Sequence, residues 1–496
     1  MMYVHSLGRA ARYYSTRPAI LGSAGKYSTF QELHDRVVGT ATALSRRGFR
    51  AGDRLAMLLP NQPEYLQLIY ACTWLGVIVV PVNARSSVAE IDRVIADSSP
   101  RGIVRHSSLP VPTVRLSWEL VLDKDTLDAE GGPPQEPIYD PNAILALIYT
   151  SGTTGRPKGV AVTHANIQAN IAHLNYWMPY HDDSVHLHAA PVFHILDFPF
   201  IFAAPTSGTC QITTPRFSAA TFCETVAREH VSHTVLVPTM INLLEQFSGV
   251  KDFDLSSLDF VAYGGSPISP ALIHQTRAVL PKVKLVQGYG LSETGFLTGL
   301  QDHEHTEDRL ASCGRPCPGI DLRIVDESGK ELGPGERGEL VARGANVMHG
   351  YWNNPQETKL AFRDGFRTGD VGYRDANGYF YILDRAKDMI VTGGENVYSA
   401  EVEAVIYEHP AVLEVAVFGI PDSQWGELVA ACVVRKPKKD LSDVDLIAHC
   451  RQFLANYKIP RHIEFSESEL PKGGSGKILK KVLRERFWIG QDRAVG

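Results

Sequence analysis

Paired cysteines, a surplus of one charge and an unbroken membrane-length apolar helix are what this sequence lacks most. Seven of 496 residues are cysteine, scattered rather than framed as pairs, which excludes a secreted disulfide scaffold and favours free thiols in a reducing cytosol. Cys313 and Cys317 stand closest, but one such pair specifies neither a zinc site nor a redox site. Basic and acidic side chains, 49 and 55, leave a net charge of −6. That is too near balance for a general nucleic-acid or anionic-membrane binder, so a small-molecule partner is expected. The start, MMYVHSLGRAARYYSTRP, has no continuous apolar core of the kind a signal peptide needs. The expected location is the cytoplasm.

What the chain does have is apolar material, 44% of its residues, enough for several cores and about two to four domains. The most membrane-like window is YLQLIYACTWLGVIVVPV from Tyr65 to Val82, which at about 18 residues just reaches spanning length. Its pattern argues against a span. Leu66, Ile69, Tyr70, Thr73 and Trp74 recur at helical spacing, Gly76 suits a helix stop, and Val77 to Val80 form a β-branched run closed by Pro81. The reading is helix, turn, buried strand.

Similar units follow, with amphipathic helices alternating with short apolar runs at Arg54 to Leu59, Ile144 to Tyr149, Thr234 to Val237, Phe260 to Tyr263 and Lys284 to Val286. This predicts layered α/β subdomains with largely parallel sheets. A Pro- and Gly-rich stretch from Gly131 to Pro141 separates two sections. After about Gly319, turn signals such as DESGK and DANGYFYI predict a β-rich subdomain. From about Asp388 helix and strand mix again in a small α+β unit, whose basic run Lys436, Lys438, Lys439 is read as a solvated loop. No fixed-period repeat or low-complexity tract is visible.

The strand ILALIY ends in Thr150-Ser151-Gly152-Thr153-Thr154-Gly155-Arg156-Pro157-Lys158-Gly159, followed by the β-branched run VAV. Small hydroxyl and glycine residues let N–H and Oγ groups converge on phosphate oxygens, and Lys158 adds a point charge. The loop therefore suits a polyphosphate. It is not the kinase and GTPase P-loop, because Pro157 precedes Lys158 and glycine follows it. A flexible surface turn would explain the composition, but not its place at a strand end, where α/β sites form.

Eight blocks now occur in order: YTSGTTGRPKGV; PVFH at 191–194; YGGSP at 263–267; GYGLSET at 288–294; GEL at 338–340 with GYW at 350–352; FRTGD at 366–370; DRAKDMIVTGGENVYSAEVE at 384–403; and PKGGSGKILKK at 471–481. On these blocks the chain resembles the adenylate-forming superfamily of acyl-CoA synthetases, firefly-type luciferases and peptide-synthetase adenylation domains over essentially its whole length. GGENVY looks most like fatty-acyl and aryl CoA ligases.

The resemblance implies a ligase that activates a carboxylic acid with ATP to acyl-AMP, releasing pyrophosphate, and then passes the acyl group to coenzyme A. It implies residues 1–384 as the adenylation domain, 385–387 as a hinge at Lys387, and 388–496 as a mobile C-terminal domain. Thr150, Ser151, Gly152, Thr153, Thr154 and Lys158 would hold the β- and γ-phosphates, with Thr150 and Glu293 placing Mg²⁺, a hard cation that prefers such oxygen ligands. Adenine would lie between Tyr289 and the Gly264-Gly265-Ser266 turn, beside Gly290 and Ser292, the latter replacing a more usual Thr. Asp370 would take the ribose hydroxyls, and Arg385 would reach the nucleotide. Lys477 matches the superfamily's catalytic lysine, in a loop given mobility by Gly473, Gly474 and Gly476. His194, after Phe193, matches the aromatic gate of the coenzyme A tunnel, to which a domain swing would bring Gly393, Gly394 and Glu395. Ser399 stands where related ligases often have proline, a departure expected to matter little.

Segments following His194, around Val235 to Met240 and near Tyr263 to Pro267, are expected to line a hydrophobic acyl pocket, which implies a fatty or aryl acid and a place in fatty acid metabolism. Asp197 departs from the apolar pattern and would need a hydrogen-bond donor, whether from the substrate, a neighbouring backbone or water. His164, His173, His181, His186 and His188 match no metalloprotease or zinc-finger spacing and are read as surface and packing residues. Alternatives left open are an enzyme that stops at acyl-AMP or loads a carrier protein, and a homodimeric assembly.

Overall fold

The computed structural model describes residues 3–22, 25–123, 136–150, 157–386, 388–422, 424–473 and 477–489. Two large α/β sheets, a four-stranded antiparallel sheet and a C-terminal α+β unit build the fold, as the alternating pattern predicts. The first sheet runs in the order 350–351, 158–163, 144–150, 78–81, 54–58, 102–105, 118–121. Its strands are parallel from Ile144–Thr150 outward, while Lys158–Thr163 folds back antiparallel onto Ile144–Thr150. The second sheet has a parallel centre of strands 284–291, 260–264, 233–236, 185–188 and 210–213. Continuous apolar runs are what such doubly covered strands require.

The membrane-like window folds as its grammar predicts. Pro63 opens a helix, Pro63–Leu75, that stops at Gly76 in the left-handed region, φ 68°, where only glycine is unstrained. The chain then enters the buried strand Ile78–Pro81. Among the described residues no helix is long and apolar enough to cross a membrane. Tyr65, Leu66 and Ile69 instead pack with Ile167, Phe198, Phe200 and Phe202 in the core shared by the two large sheets.

The β-rich section consists of antiparallel strands Asp321–Val325, Gly338–Arg343, Phe366–Arg374 and Phe380–Arg385. Its two predicted turns close on carboxylates: Asp326 accepts from the N–H groups of Ser328 and Lys330, and Asp375 from those of Asn377 and Tyr379. Beyond this sheet the C-terminal unit has its own core, including Ile390, Val402, Val415, Val433 and Leu446. Lys436, Lys438 and Lys439 lie in a surface turn at the end of strand Gly426–Arg435. All seven cysteines are free and buried.

Candidate active site

The carboxyl ends of two neighbouring parallel strands, Phe260–Gly264 and Lys284–Leu291, meet with Gly264 opposite Gly288. A Cβ on Gly264 would lie 2.1 Å from the Gly288 carbonyl oxygen, and one on Gly290 would lie 1.7 Å from that of Gly295. Both glycines are thus demanded by backbone crowding. Gly265 follows with φ +80°, and a Cβ there would be 3.7 Å from both Leu196 and Val237. The three segments expected to line an acyl pocket therefore do converge at the Gly264-Gly265-Ser266 turn.

Asp370 and Arg385 stand opposite each other on adjacent antiparallel strands. Arg385 Nε lies 2.9 Å from Oδ1 of Asp370, and the Tyr289 hydroxyl donates to Oδ2 at 2.7 Å. Burial, then Asp370, holds the Tyr289 phenol well above its ordinary pKa. Lys477 comes to this group from the C-terminal unit, where Gly473 N–H donates to the Lys477 carbonyl at 2.8 Å and Leu479 N–H to that of Pro471 at 2.7 Å. The residue is exposed, yet the protein around its ammonium reduces its solvation. That loss and the nearby Arg385 push the ammonium down to about 8, with Asp370 acting against them.

Thr150 pairs with Lys158 where the two strands of the hairpin end; Ser151, Gly152, Thr153 and Thr154 lie outside the described residues. Lys158 Nζ is 2.6 Å from Glu357 and 5.2 Å from the centre of the Tyr351 ring. The Tyr351 hydroxyl donates to Oε1 of Glu293 at 2.9 Å, and Met348 N–H donates to the Glu293 carbonyl at 2.7 Å. Thr150, Lys158 and Glu293 are thereby tied together through the short strand Gly350–Tyr351, which pairs with Lys158–Thr163. Tyr351 lies in the GYW block, but its bond to Glu293 spans 58 positions and leaves no local pattern in the chain. Glu357, in the helix Pro355–Ala361, lies outside every block.

His194 packs on Phe193 with ring centres 4.5 Å apart. Burial, then Arg85, pushes its pKa down to about 4, so the ring is neutral at ordinary pH. Asp197 is fully buried, and the side chains that face its carboxylate are imidazoles. His188 Nδ1 lies 3.1 Å from each Asp197 oxygen, and His186 Nε2 lies 3.5 Å from Oδ1. Burial would raise the Asp197 pKa, but the two histidines outweigh it and hold it below the usual carboxylate value. His164 and His173 are also buried, and His181 is at the surface.

Ser399 matters more than expected. It is buried at the start of the helix Ser399–Tyr407, its N–H donates to Asp384 Oδ2 at 2.5 Å, and its Oγ accepts from Lys480 Nζ at 2.6 Å. Lys480 also pairs with Glu403 at 2.7 Å. Burial raises both carboxylates, while the pairing raises Lys480 in spite of its burial. This buried network joins the end of strand Phe380–Arg385 to the C-terminal unit. Lys387, Gly474 and Gly476 lie outside the described residues. Gly393 and Gly394 take φ +60° and +83° in the turn before Glu395, and Gly393 N–H donates to the Trp425 carbonyl. The contacts of this turn are within its own unit, whereas Lys477 has reached the Asp370–Arg385 pair.

The chain as a whole has counterparts among known proteins. The sequence model of the AMP-binding enzyme family matches residues 7–352. The chain belongs to that family. The model of the AMP-binding enzyme C-terminal domain matches residues 401–477 of this AMP-binding enzyme. Feruloyl-CoA synthase of an Amycolatopsis species is 37% identical over 468 residues, covering 93% of this chain and 94% of the relative. The long-chain-fatty-acid–CoA ligase FadD13 of Mycobacterium tuberculosis is 34% identical, with 93% of each covered. Among solved structures, o-succinylbenzoate CoA synthetase from Bacillus subtilis, in complex with its acyl-adenylate intermediate, superimposes with a TM-score of 0.86 at 30% identity and 97% coverage of both chains. The same synthetase is also known with ATP and magnesium. The adenylate-forming resemblance and the two-domain fold class therefore hold.

Proposed function

We propose that this AMP-binding enzyme is an ATP-dependent acid–CoA ligase acting on a hydrophobic fatty or aryl carboxylic acid. The substrate carboxylate attacks the α-phosphorus of ATP, giving acyl-AMP and pyrophosphate; the thiol of coenzyme A then attacks the acyl carbon, loses its proton and displaces AMP. The observation that carries this reading is Lys477 beside the Asp370–Arg385 pair, at the glycine-lined strand ends. An ammonium there opposes the negative charge that builds as carboxylate and α-phosphate approach. Asp370 offers acceptor oxygens to the ribose hydroxyls, and Tyr289 and the glycine turn flank the adenine.

Glu293 uses Oε1 for Tyr351 and retains a second hard oxygen, so with Thr150 it fits magnesium, which when bound would neutralise phosphate charge. The neutral His194 ring closes the apolar side formed by Leu196 and Val237, and the apolar wall favours a fatty or aryl group. Rotation about Lys387 would withdraw Lys477 and bring Gly393-Gly394-Glu395 to the thiol tunnel for the second step. Both co-substrates are abundant in the cytoplasm, which is the location this reading supports.

The test is pyrophosphate release with a panel of fatty, aryl and hydroxylated acids, with and without coenzyme A. A coenzyme-dependent thioester from one hydrophobic class is expected. Acyl-AMP that accumulates and is consumed only by a carrier protein would replace the acceptor, and ATP cleavage indifferent to every acid would overturn the reading.

A further inference from the structure

His186 and His188 lie on one strand, Val185–His188, and Asp197 ends the loop before the helix Phe198–Ala203. All three side chains are fully buried, and one ligand-type atom from each falls within 4.8 Å of the other two. The surrounding hydrogen bonds decide how these atoms are presented. The Tyr70 hydroxyl donates its single proton to the Ile201 carbonyl, so it must accept from Gln211 Nε2, which lies 3.0 Å away. Gln211 therefore turns Oε1 to His188 Nε2, 3.1 Å away, and that nitrogen carries the hydrogen. The other nitrogen, Nδ1, faces both oxygens of Asp197 at 3.1 Å.

A bare lone pair against a buried carboxylate is repulsive, so a cation belongs between them, and there are two choices. A proton would serve His188 alone. His186 would then keep its own hydrogen on Nε2, with the Tyr180 hydroxyl donating to Nδ1, and would reach Asp197 only by a long contact of 3.5 Å. A metal ion would serve both imidazoles and the carboxylate together, with His186 Nδ1 free to bond the Tyr180 hydroxyl at 2.9 Å. Imidazole and carboxylate at zinc distances of about 2.0–2.2 Å stand roughly 3.3 Å apart around a tetrahedron; the two edges to Asp197, 3.1 and 3.5 Å, bracket that separation, and the ligand atoms of the two imidazoles lie within 4.8 Å of each other. Gln211 and Tyr180 have the outer contacts that usually fix the tautomers of metal-bound histidines.

We propose that His186, His188 and Asp197 form a buried zinc site that pins the loop carrying His194 to the second sheet. Its three ligands are not among the residues assigned to magnesium or nucleotide, and it does not depend on which acid the enzyme activates. Its role is structural, because no side-chain ligand reaches solvent.

The experiment uses the full chain expressed in zinc-supplemented medium, with metal measured by plasma mass spectrometry after removal of loosely bound ions. About one zinc per chain is expected, falling below about one tenth in His188→Gln and Asp197→Asn. The wild-type protein, unfolded with a chelator and refolded, should gain roughly 3 °C or more in Tm when zinc is restored. If the variants fail to fold, cobalt-substituted wild type decides the matter: nitrogen and oxygen ligation without a thiolate charge-transfer band supports the site, and a thiolate band assigns the metal to cysteine and overturns it. Metal-free wild type whose Tm ignores zinc would also overturn it, leaving a proton between His188 and Asp197.

Discussion

The backbone N–H of Ser399 donates to Oδ2 of Asp384 at 2.5 Å, across the joint between the large body and the C-terminal unit. Proline has no such donor. The preceding Tyr398 has φ −85° and ψ 117°, an extended conformation that accepts a following proline, and the first helical position tolerates one. Ser399→Pro should therefore fold while removing a hydrogen bond to a buried carboxylate, typically about 1.5–3 kcal/mol, from this domain arrangement alone. Acyl-AMP formation should fall roughly ten- to a hundredfold, with a smaller loss in transfer from supplied acyl-AMP to coenzyme A. Single-turnover assays of the two half-reactions check the split, and equal losses would remove Ser399 from the joint.

Lys477 is cationic below about 8 and neutral above it. The kcat/KM for ATP in acyl-AMP formation should accordingly decline as pH rises through about 8, and the limb should move to higher pH in kcat, because bound polyphosphate favours the charged form. Lys477→Arg, which keeps its charge, should lack this limb. Lys477→Ala should lose about 10²–10³ in acyl-AMP formation, equivalent to about 2.7–4 kcal/mol, and retain most of the transfer step.

Glu357 holds the Lys158 ammonium at 2.6 Å, so under the proposed function it would compete with the ATP phosphates for that charge. Glu357→Gln should lower the KM for ATP several-fold while leaving the KM for the acid unchanged. Lys158→Ala should raise the KM for ATP in either background. Initial rates over an ATP titration of the single and double variants would measure the coupling.

Two adjacent glycines should respond differently. A methyl group at Gly264 meets the Gly288 carbonyl oxygen at 2.1 Å, so Gly264→Ala should cost about 1–3 kcal/mol or more of stability and abolish AMP binding. At Gly265 the nearest atoms are 3.7 Å away on Leu196 and Val237. Gly265→Ala should fold with a modest penalty for its positive φ and shift preference toward smaller acids. Thermal melts and an acid panel separate the two effects.

Much of this was legible in the chain because it is local. The helix stop at Gly76 and the strand Ile144–Thr150 follow from period and turn chemistry. Asp370, Arg385, Tyr289 and Lys477 could be placed together because each sits in a recognisable block. What escaped depends on tertiary contact between residues whose neighbours say nothing of it. Glu357 meets Lys158 across 199 positions, and Lys480 meets Ser399 across 81. Asp197 could be flagged as out of place in an apolar stretch, but its partners came from a strand whose histidines looked like filler. Ser399 was underrated for a physical reason: its backbone N–H, not its side chain, is what distinguishes it from proline at that joint.

The seven cysteines, all free and all buried, have a practical consequence. Burial raises the thiol of each one above its ordinary value, so little thiolate is available to a maleimide in the folded state. One cysteine introduced on the surface of each domain would then take a fluorophore without prior removal of the native thiols. Donor–acceptor distances in single molecules could report, turnover by turn, which way the C-terminal unit is facing.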